Sequence, residues 1–196
     1  SSHVSDFQDI VIHLLLNSSD YSNVLKTLEQ YENLSPELEE IQSTLTYNVG
    51  IQYYNEKDFN KAIKYFEKSI NNKNAESKSQ KEAMFWLADS YYQLKNHHEA
   101  AKAYQKFINA KGSSDLDIYA LAYYNLGYIH LNNNEFDNAA IKFKEFINND
   151  KLSDKERQSD SWTRIGDCYF IQRQYNSAIT SYNNSLKISD KNADYA

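Results

Sequence analysis

The segment Leu126-Gly127-Tyr128-Ile129-His130-Leu131 decides the fold, because similar segments recur along the chain. The other copies begin at Val49, Leu87 and Ile165. In every copy a Gly or Ala stands second, and an Ala follows that small residue 12 positions later. The pairs are Gly50 and Ala62, Ala88 and Ala100, Gly127 and Ala139, and Gly166 and Ala178. Four copies in one register indicate an internal repeat.

Each repeat has the apolar spacing of two helices. Successive Ala residues of the second segment lie 38, 39 and 39 positions apart, and an aromatic follows each Ala by four. Around them, larger apolar residues such as Tyr53, Phe59 and Ile70 recur at helical spacing. A Gly inside a helix costs about 1 kcal/mol relative to Ala, so we expect it where a second helix approaches closely. Because an Ala follows the small residue of the first helix at a constant distance, we predict that this Ala provides the small surface of the second helix that faces it.

Composition favours helices and excludes several classes of function. The chain has 196 residues, with one Pro and four Gly, which is too few for the turns of an extended sheet. A net charge of −6 argues against a nucleic-acid partner. The sequence has no apolar run of about 18 residues, so we predict no direct membrane insertion. Cys168 is the single cysteine and cannot form a disulfide within the chain.

Further signals concern the start of the chain and the starts of its helices. It starts at Ser1-Ser2 without Met, and we expect it to be a fragment of a longer chain. A fifth, degenerate copy precedes the four, with Ile12 and Val24 in the positions of the small residues. Ser35-Pro36 predicts a helix start, and Ser153 with Glu156 predicts a capping box before the last pair.

These residues resemble the tetratricopeptide repeat. The last copy carries the pattern in full, as Trp162, Ile165, Gly166, Tyr169, Ala178 and Tyr182. The resemblance implies an all-α fold, an α-solenoid (superhelix) of about five antiparallel helix-turn-helix repeats in a single domain over residues 1–196. The expected repeats are 5–42 (degenerate), 43–80, 81–119, 120–158 and 159–192.

The chain departs from the family pattern in its period and its turns. The period exceeds the usual length of about 34 residues, and the closing Pro is missing. The Gly usual at the turn within a pair is replaced by Lys57, Lys95, Asn134 and Arg173. Such long-period repeats resemble those of large bacterial cell-envelope proteins. We therefore favour the bacterial periplasm or cell envelope over the cytoplasm.

The resemblance also implies a partner-binding groove lined by the first helices. Its expected residues are Tyr47, Ile51, Tyr54, Phe85, Asp89, Tyr92, Tyr124, Tyr128, Leu131, Thr163, Asp167 and Phe170. Tyrosine offers a large flat surface and a hydroxyl, which suits peptide recognition. The alternative is that these side chains pack against the following helix pair.

One known mode of binding in this family is disfavoured. Relatives that clamp the C-terminal carboxylate of a chaperone use Lys, Asn, Asn, Lys and Arg. The matching positions are Phe85, Asp89, Asn125, Asp160 and Arg164, of which only Asn125 and Arg164 agree. Acids at two of these positions would repel a carboxylate.

The few residues with chemical potential have simpler interpretations. His97 and His98 are adjacent, so they point about 100° apart on a helix and cannot share a metal as residues four apart do. We expect His97 to pack in an aromatic column, His130 to be a hydrogen-bonded core residue, and Cys168 to be partly buried. Asp89 and Asp167 are expected to be solvated groove residues. We predict no cofactor, no metal and no enzyme activity.

The leading hypothesis is a non-catalytic scaffold that binds a partner peptide or helix in the aromatic groove. The first alternative is a structural spacer within a larger cell-envelope protein, with no ligand of its own. The second, a metal-binding or enzymatic domain, has the least support.

Overall fold

The computed structural model describes residues 21–30, 34–71 and 77–193. Within these ranges all regular structure is helical, so the predicted all-α helical-repeat class is confirmed. The α-helices are α1 (Tyr21–Leu28), α2 (Pro36–Asn55), α3 (Phe59–Ile70), α4 (Lys78–Gln93), α5 (His97–Asn109), α6 (Tyr119–Asn132), α7 (Phe136–Asn149), α8 (Lys155–Ile171) and α9 (Tyr175–Ala193), and a short 3-10 helix covers Ser113–Asp115. No helix in these ranges is both long and apolar enough to span a bilayer.

Each first helix is joined to its second helix by the same three-residue turn. In the first of these turns the Lys57 N–H donates to the Tyr54 carbonyl and the Asp58 N–H to the Tyr53 carbonyl, both at 2.9 Å. This is the bonding of a helix end closed by a left-handed residue. The left-handed residues are Lys57 (φ 62°), Lys95 (φ 59°), Asn134 (φ 61°) and Arg173 (φ 62°). The four positions that lack the family's Gly therefore keep the conformation that Gly would adopt.

The chain divides into two compact units, residues 1–103 and 104–196. In the first unit α2 packs on α1, α3 and α4, and α3 packs on α4. In the second unit α7 packs on α6 and α8, and α8 packs on α9. The same stacking of a second helix on the next first helix thus occurs in both units.

The helix pairs begin earlier than the expected repeat boundaries. First helices start at Pro36, Lys78, Tyr119 and Lys155, so boundaries at 43, 81, 120 and 159 fall inside them. The repeat register was set by the small residue, which lies well inside the first helix. The degenerate copy is described only from Tyr21, and Ile12 lies outside the described residues. The single domain over residues 1–196 stays a prediction.

The helical glycines make room for an aromatic ring of the second helix. A Cβ atom on Gly127 would lie 2.7 Å from a ring carbon of Phe143, closer than real Cβ atoms approach their neighbours. The equivalent pairs are Gly50 with Phe66 (2.6 Å) and Gly166 with Tyr182 (2.5 Å). The prediction that glycine permits a close approach is confirmed. The three nearest atoms belong to the aromatic residue four positions after the Ala, a neighbour that the sequence did not predict.

The helix caps agree with the sequence in one case and correct it in another. The Ser35 hydroxyl accepts from the Leu38 N–H at 3.4 Å, and Pro36 is the first helical residue, as predicted. At α8 the cap is Asp154, which accepts from the Arg157 N–H at 3.0 Å. The predicted cap, Ser153, lies outside the helix in a left-handed conformation (φ 55°). The neighbouring carboxylate takes its place because an anion is favoured at a helix N-terminus.

Candidate functional site

The twelve expected groove residues all lie on the first helices α2, α4, α6 and α8, but two of them are buried and the hydroxyl of a third is bound within its own helix pair. Phe85 is a buried core residue. Asp89 is 8% exposed, which corrects its interpretation as a solvated residue. The Thr163 hydroxyl lies between α8 and α9, where it is within hydrogen-bond distance of the Ser159 carbonyl and the Ser185 hydroxyl. These three residues contribute to packing within their own unit.

In the first unit, α2 and α4 are bridged by a tyrosine and a carboxylate. The Tyr54 hydroxyl donates to Asp89 Oδ2, and the Gln93 amide donates to the same oxygen at 3.2 Å. The Tyr54 ring meets the Trp86 ring edge-on at 4.9 Å between centroids. Burial raises the pKa of Tyr54, and the hydrogen bond to Asp89 adds to this. The Tyr54 ring is thereby fixed against α4.

A second bridge lies two turns earlier on the same helices. Burial raises the pKa of Tyr47, and the Glu82 carboxylate adds to it as both a nearby charge and a hydrogen-bond partner. Tyr92 lies at the end of α4, where its ring stacks on His97 at 5.7 Å. The aromatic side chains of this face are therefore held by contacts on more than one side.

The second unit repeats the arrangement between α6 and α8. The Tyr124 hydroxyl donates to Asp160 Oδ2 at 2.9 Å, and the Tyr128 hydroxyl donates to the same oxygen. Arg164 donates to Asp160 Oδ1 at 3.2 Å and to Asp167 Oδ2 at 2.7 Å. Burial raises the pKa of both tyrosines. One arginine thus links the two carboxylates on this face of α8.

One tyrosine–carboxylate bridge of each unit occupies the same position of the repeat. Tyr47 and Tyr124 are equivalent positions, as are their acceptors Glu82 and Asp160. We call these contacts the tyrosine–carboxylate ladder: the tyrosines of α2 and α6 with the acids of α4 and α8. On each of α4 and α8, two acids and one residue between them have the spacing i, i+4, i+7 of one helix face, and we call this set the acid stripe. The acid stripes are Glu82, Trp86 and Asp89 on α4 and Asp160, Arg164 and Asp167 on α8.

The expected groove omitted four residues of this face. Glu82 and Asp160 accept the tyrosine hydroxyls, while Trp86 and Arg164 stand between the acids. A signal for them was present in the sequence. Each lies three or seven residues before Asp89 or Asp167, so it shares the helix face of an expected groove residue.

On α2, Thr44 and Asn48 occupy the positions equivalent to Glu82 and Trp86, and both border a cavity. The cavity has a volume of about 410 Å³ and is lined by Glu37, Glu40, Ile41, Thr44, Leu45 and Asn48. Both carboxylates lie in the first two turns of α2. The cavity is therefore lined by two acids of α2.

Comparison with known proteins now decides the family. Models described as "Tetratricopeptide repeat" match residues 47–75, 82–110, 120–151 and 159–192, which together make up more than half of the chain. The chain belongs to the tetratricopeptide repeat family. A comparison with curated proteins gives no match.

Solved structures of tetratricopeptide-like fold resemble this one over most of its length. BtubC (BKLC) from P. vanneervenii is 16% identical with a TM-score of 0.72, over 90% of this chain and 73% of that one. A structure of MamA is 20% identical with a TM-score of 0.66, over 90% and 92%. MamA from Desulfovibrio magneticus RS-1, residues 41 to the end, is 15% identical with a TM-score of 0.61, over 97% of both chains. At these identities the likeness concerns the fold alone.

The two residues that match the chaperone-tail clamp of tetratricopeptide proteins already have partners within the chain. The Asn125 amide donates to the Tyr104 hydroxyl at 2.7 Å. Arg164 is bound to Asp160 and Asp167. A carboxylate ligand would have to displace these contacts. The absence of such a clamp in this tetratricopeptide chain stays a prediction.

The histidines and the cysteine lie apart from one another. His97 stacks on Tyr92, as expected, and His98 is exposed. His130 is partly buried, with 21% of its side chain exposed, and is hydrogen-bonded to Glu135 at 2.7 Å. Cys168 is fully buried, not partly, and burial raises the pKa of its thiol to about 11. In the described ranges no three or more His, Cys, Asp or Glu side chains are grouped as metal ligands.

Proposed function

We propose that this tetratricopeptide protein is a non-catalytic scaffold that binds a segment of a partner protein along the tyrosine–carboxylate ladder. The observation that supports the proposal is that in both units a tyrosine hydroxyl of one first helix donates to a carboxylate of the next first helix, Tyr54 to Asp89 and Tyr124 to Asp160. Tetratricopeptide repeats in general mediate protein–protein interaction. Rings that are already fixed lose little side-chain entropy when a partner binds.

The charge of the ladder defines the partner's chemistry. In the first unit the acid that a partner can reach on α4 is Glu82, whose side chain is 24% exposed and lies on the same helix face as Trp86, while Asp89 is buried. The second unit places two carboxylates around one arginine. A segment with Lys or Arg beside apolar side chains complements such a surface, because its charge is attracted and its apolar groups contact the rings.

Selection from a displayed peptide library would test this proposal. We expect the selected peptides to be rich in Lys or Arg next to apolar residues. Gln93→Lys places a positive charge at the end of the acid stripe of α4. It should weaken the selected peptides about tenfold in fluorescence polarisation, a loss of roughly 1.4 kcal/mol.

A matched control is available on a second helix. Gln105→Lys makes the same charge change at an exposed position of α5 and should leave the affinity unchanged. Both variants should keep the far-UV circular dichroism of the parent. Equal effects of the two substitutions, or a library that yields no binding peptide, would refute the scaffold proposal.

One observation favours the alternative that the chain is a structural spacer within a larger protein. Large apolar side chains are exposed on the last helix pair, among them Phe170, Ile179 and Leu186. Ile179 and Leu186 lie on the second helix, away from the ladder, so the two functions do not compete for the same residues.

A further inference from the structure

The second unit places its own cations on the tyrosine–carboxylate ladder. The central carbon of the Arg157 guanidinium lies 5.9 Å from the centroid of the Tyr124 ring. Arg164 donates to Oδ1 of Asp160, the acid whose other oxygen accepts from the Tyr124 hydroxyl. Both arginines share one face of α8 with Asp160, because they lie three residues before it and four after it. In this unit the chain itself supplies the positive charge that its ring and its acid attract.

The first unit has a tyrosine and an acid at the same positions of the repeat, but neither arginine. The tyrosine, the acid and the two arginines of the second unit correspond in the first unit to Tyr47, Glu82, Ser79 and Trp86. The Ser79 hydroxyl lies 3.2 Å from that of Thr44, in the first turn of α4. An uncharged residue thus stands at each of the two arginine positions.

A lysine pairs with the acid of the first unit only at the surface. Lys78 Nζ lies 3.6 Å from Glu82 Oε1, and the Lys78 side chain is 76% exposed. Such an exposed pair contributes little to stability, since both charges interact through water. A cation supplied by a partner can therefore replace Lys78 at Glu82 at little cost.

Trp86 is held in a fixed orientation by two tyrosines of α2. Its indole N–H donates to the Tyr47 hydroxyl, which in turn donates to the Glu82 carboxylate. The Trp86 ring meets the Tyr54 ring edge-on, and both Trp86 and Tyr47 remain partly exposed. Rings and a carboxylate in fixed orientations match a guanidinium, which stacks on aromatic faces and bonds to carboxylates.

We propose that the first unit binds an arginine side chain of the partner protein, whose guanidinium contacts the Tyr47 and Trp86 rings and pairs with Glu82. The partner's arginine takes the place that Arg157 and Arg164 take in the second unit. Because the second unit is supplied by its own chain, only the first unit selects for positive charge. This inference rests on the proposed function, since it assigns the partner's charge to one of the two parts of the ladder.

Two short labelled peptides are the probes, Leu-Arg-Leu-Arg-Leu-Arg-Leu and a copy with citrulline in place of every arginine. Citrulline has nearly the shape of arginine and no charge, so the comparison isolates the cation. We expect the arginine peptide to bind the chain at least about tenfold more tightly in fluorescence polarisation. Equal affinities of the two peptides would overturn the inference.

Ser79→Arg tests the position directly, because it gives the first unit the internal arginine of the second. It should weaken the arginine peptide at least about tenfold, whereas Ser79→Gln, which adds length without charge, should change the affinity less than about twofold. Gln105→Arg is the control for net charge, since it adds the same charge at an exposed position of α5. All three variants should keep the far-UV circular dichroism of the parent. Equal losses for Ser79→Arg and either control would show that no arginine is recognised at this site.

The reverse change should create a second site. A chain with Arg157→Ser and Arg164→Gln lacks the internal cations of the second unit, and calorimetry should show that it binds one more equivalent of the arginine peptide than the parent. An unchanged stoichiometry in the folded double variant would contradict the comparison between the units. These outcomes are independent of the displayed library, whose binders test the scaffold proposal even if no arginine site exists.

Discussion

Single residues set the distance between the two helices of a pair. The buried Phe143 ring lies where a Cβ atom of residue 127 would be, so the glycine of α6 and the aromatic of α7 depend on each other. The same relation holds for Gly50 and Phe66. Because these rings are fully buried, they cannot move away from an added methyl group at low cost.

Gly127→Ala is therefore expected to destabilise the protein. The alanine gains about 1 kcal/mol in helix propensity but overpacks a buried ring, at a cost of about 1–3 kcal/mol. We expect a net loss of about 1 kcal/mol, measured as a lower midpoint in urea. Adding Phe143→Leu makes room, so the double variant should lose less than the sum of the two single losses. A rise in stability for Gly127→Ala alone would contradict this description of the pair.

At this scale the sequence predicts the need for glycine but not its neighbour. Ala139 and Phe143 lie four positions apart and so on the same side of α7. Helical spacing identifies the side of the helix and cannot tell which of the two residues reaches the glycine. The length of the aromatic side chain decides it, and that requires the helix separation.

The turns are the element in which the chain departs most from its family. Lys95 and Arg173 adopt left-handed backbone conformations that cost an L-residue about 1–2 kcal/mol. All four turns keep this conformation although none contains glycine. The hydrogen bonds that close the preceding helix hold it in place.

Lys95→Gly and Arg173→Gly should each stabilise the protein by about 0.5 kcal/mol. The relief of strain exceeds the extra entropy that glycine gives the unfolded chain, which is about 0.4–1 kcal/mol. Asn134→Gly should have almost no effect, because Asn tolerates the left-handed region. Chemical denaturation measures all three, with Lys102→Gly in the middle of α5 as the destabilising control. Loss of stability in both turn variants would show that the unfolded-state entropy dominates.

The helix elements also show why only part of the site could be predicted. Tyr124 and Thr163 occupy the same column of the repeat, yet Tyr124 belongs to the ladder and Thr163 to the packing of its own pair. The difference lies in the second helix, where Phe146 stands at 5.1 Å from the Tyr124 ring and its counterpart Ser185 bonds to Thr163. A column fixes the face of a helix, whereas burial depends on the size of the residue opposite. The sequence therefore placed Phe85 and Asp89 in the groove although they are buried, and partner binding by the other groove residues stays a prediction.

The molecule as a whole holds many of its tyrosines in the neutral form. In the described part of the chain, burial raises the pKa of Tyr47, Tyr54, Tyr91, Tyr92, Tyr123, Tyr124, Tyr128 and Tyr182. A pKa that is higher in the folded than in the unfolded state favours folding while the group is protonated. This contribution is complete below about pH 10, the ordinary pKa of tyrosine, and is lost as the pH rises toward the folded values.

We therefore expect the protein to lose stability steeply above about pH 10. Absorbance at about 295 nm, where tyrosinate absorbs, should show only part of the 17 tyrosines ionising while the circular dichroism remains native. The remainder should ionise together with unfolding, and in concentrated urea all should titrate in one step near about pH 10. Independent titration of every tyrosine in the folded protein would contradict the burial of the ladder.

In the ladder, first helices that donate through tyrosines alternate with first helices that accept through acids. This alternation limits how the number of helix pairs can change. Tyr47 and Tyr124 are 77 residues apart, and Glu82 and Asp160 are 78. Deleting a single pair would bring the tyrosines of α2 beside those of α6, with no carboxylate to receive their hydroxyls. Gain or loss of two pairs at once preserves every donor and its acceptor. We therefore expect chains of this kind that differ in length to differ by two helix pairs, which keeps each tyrosine beside its carboxylate.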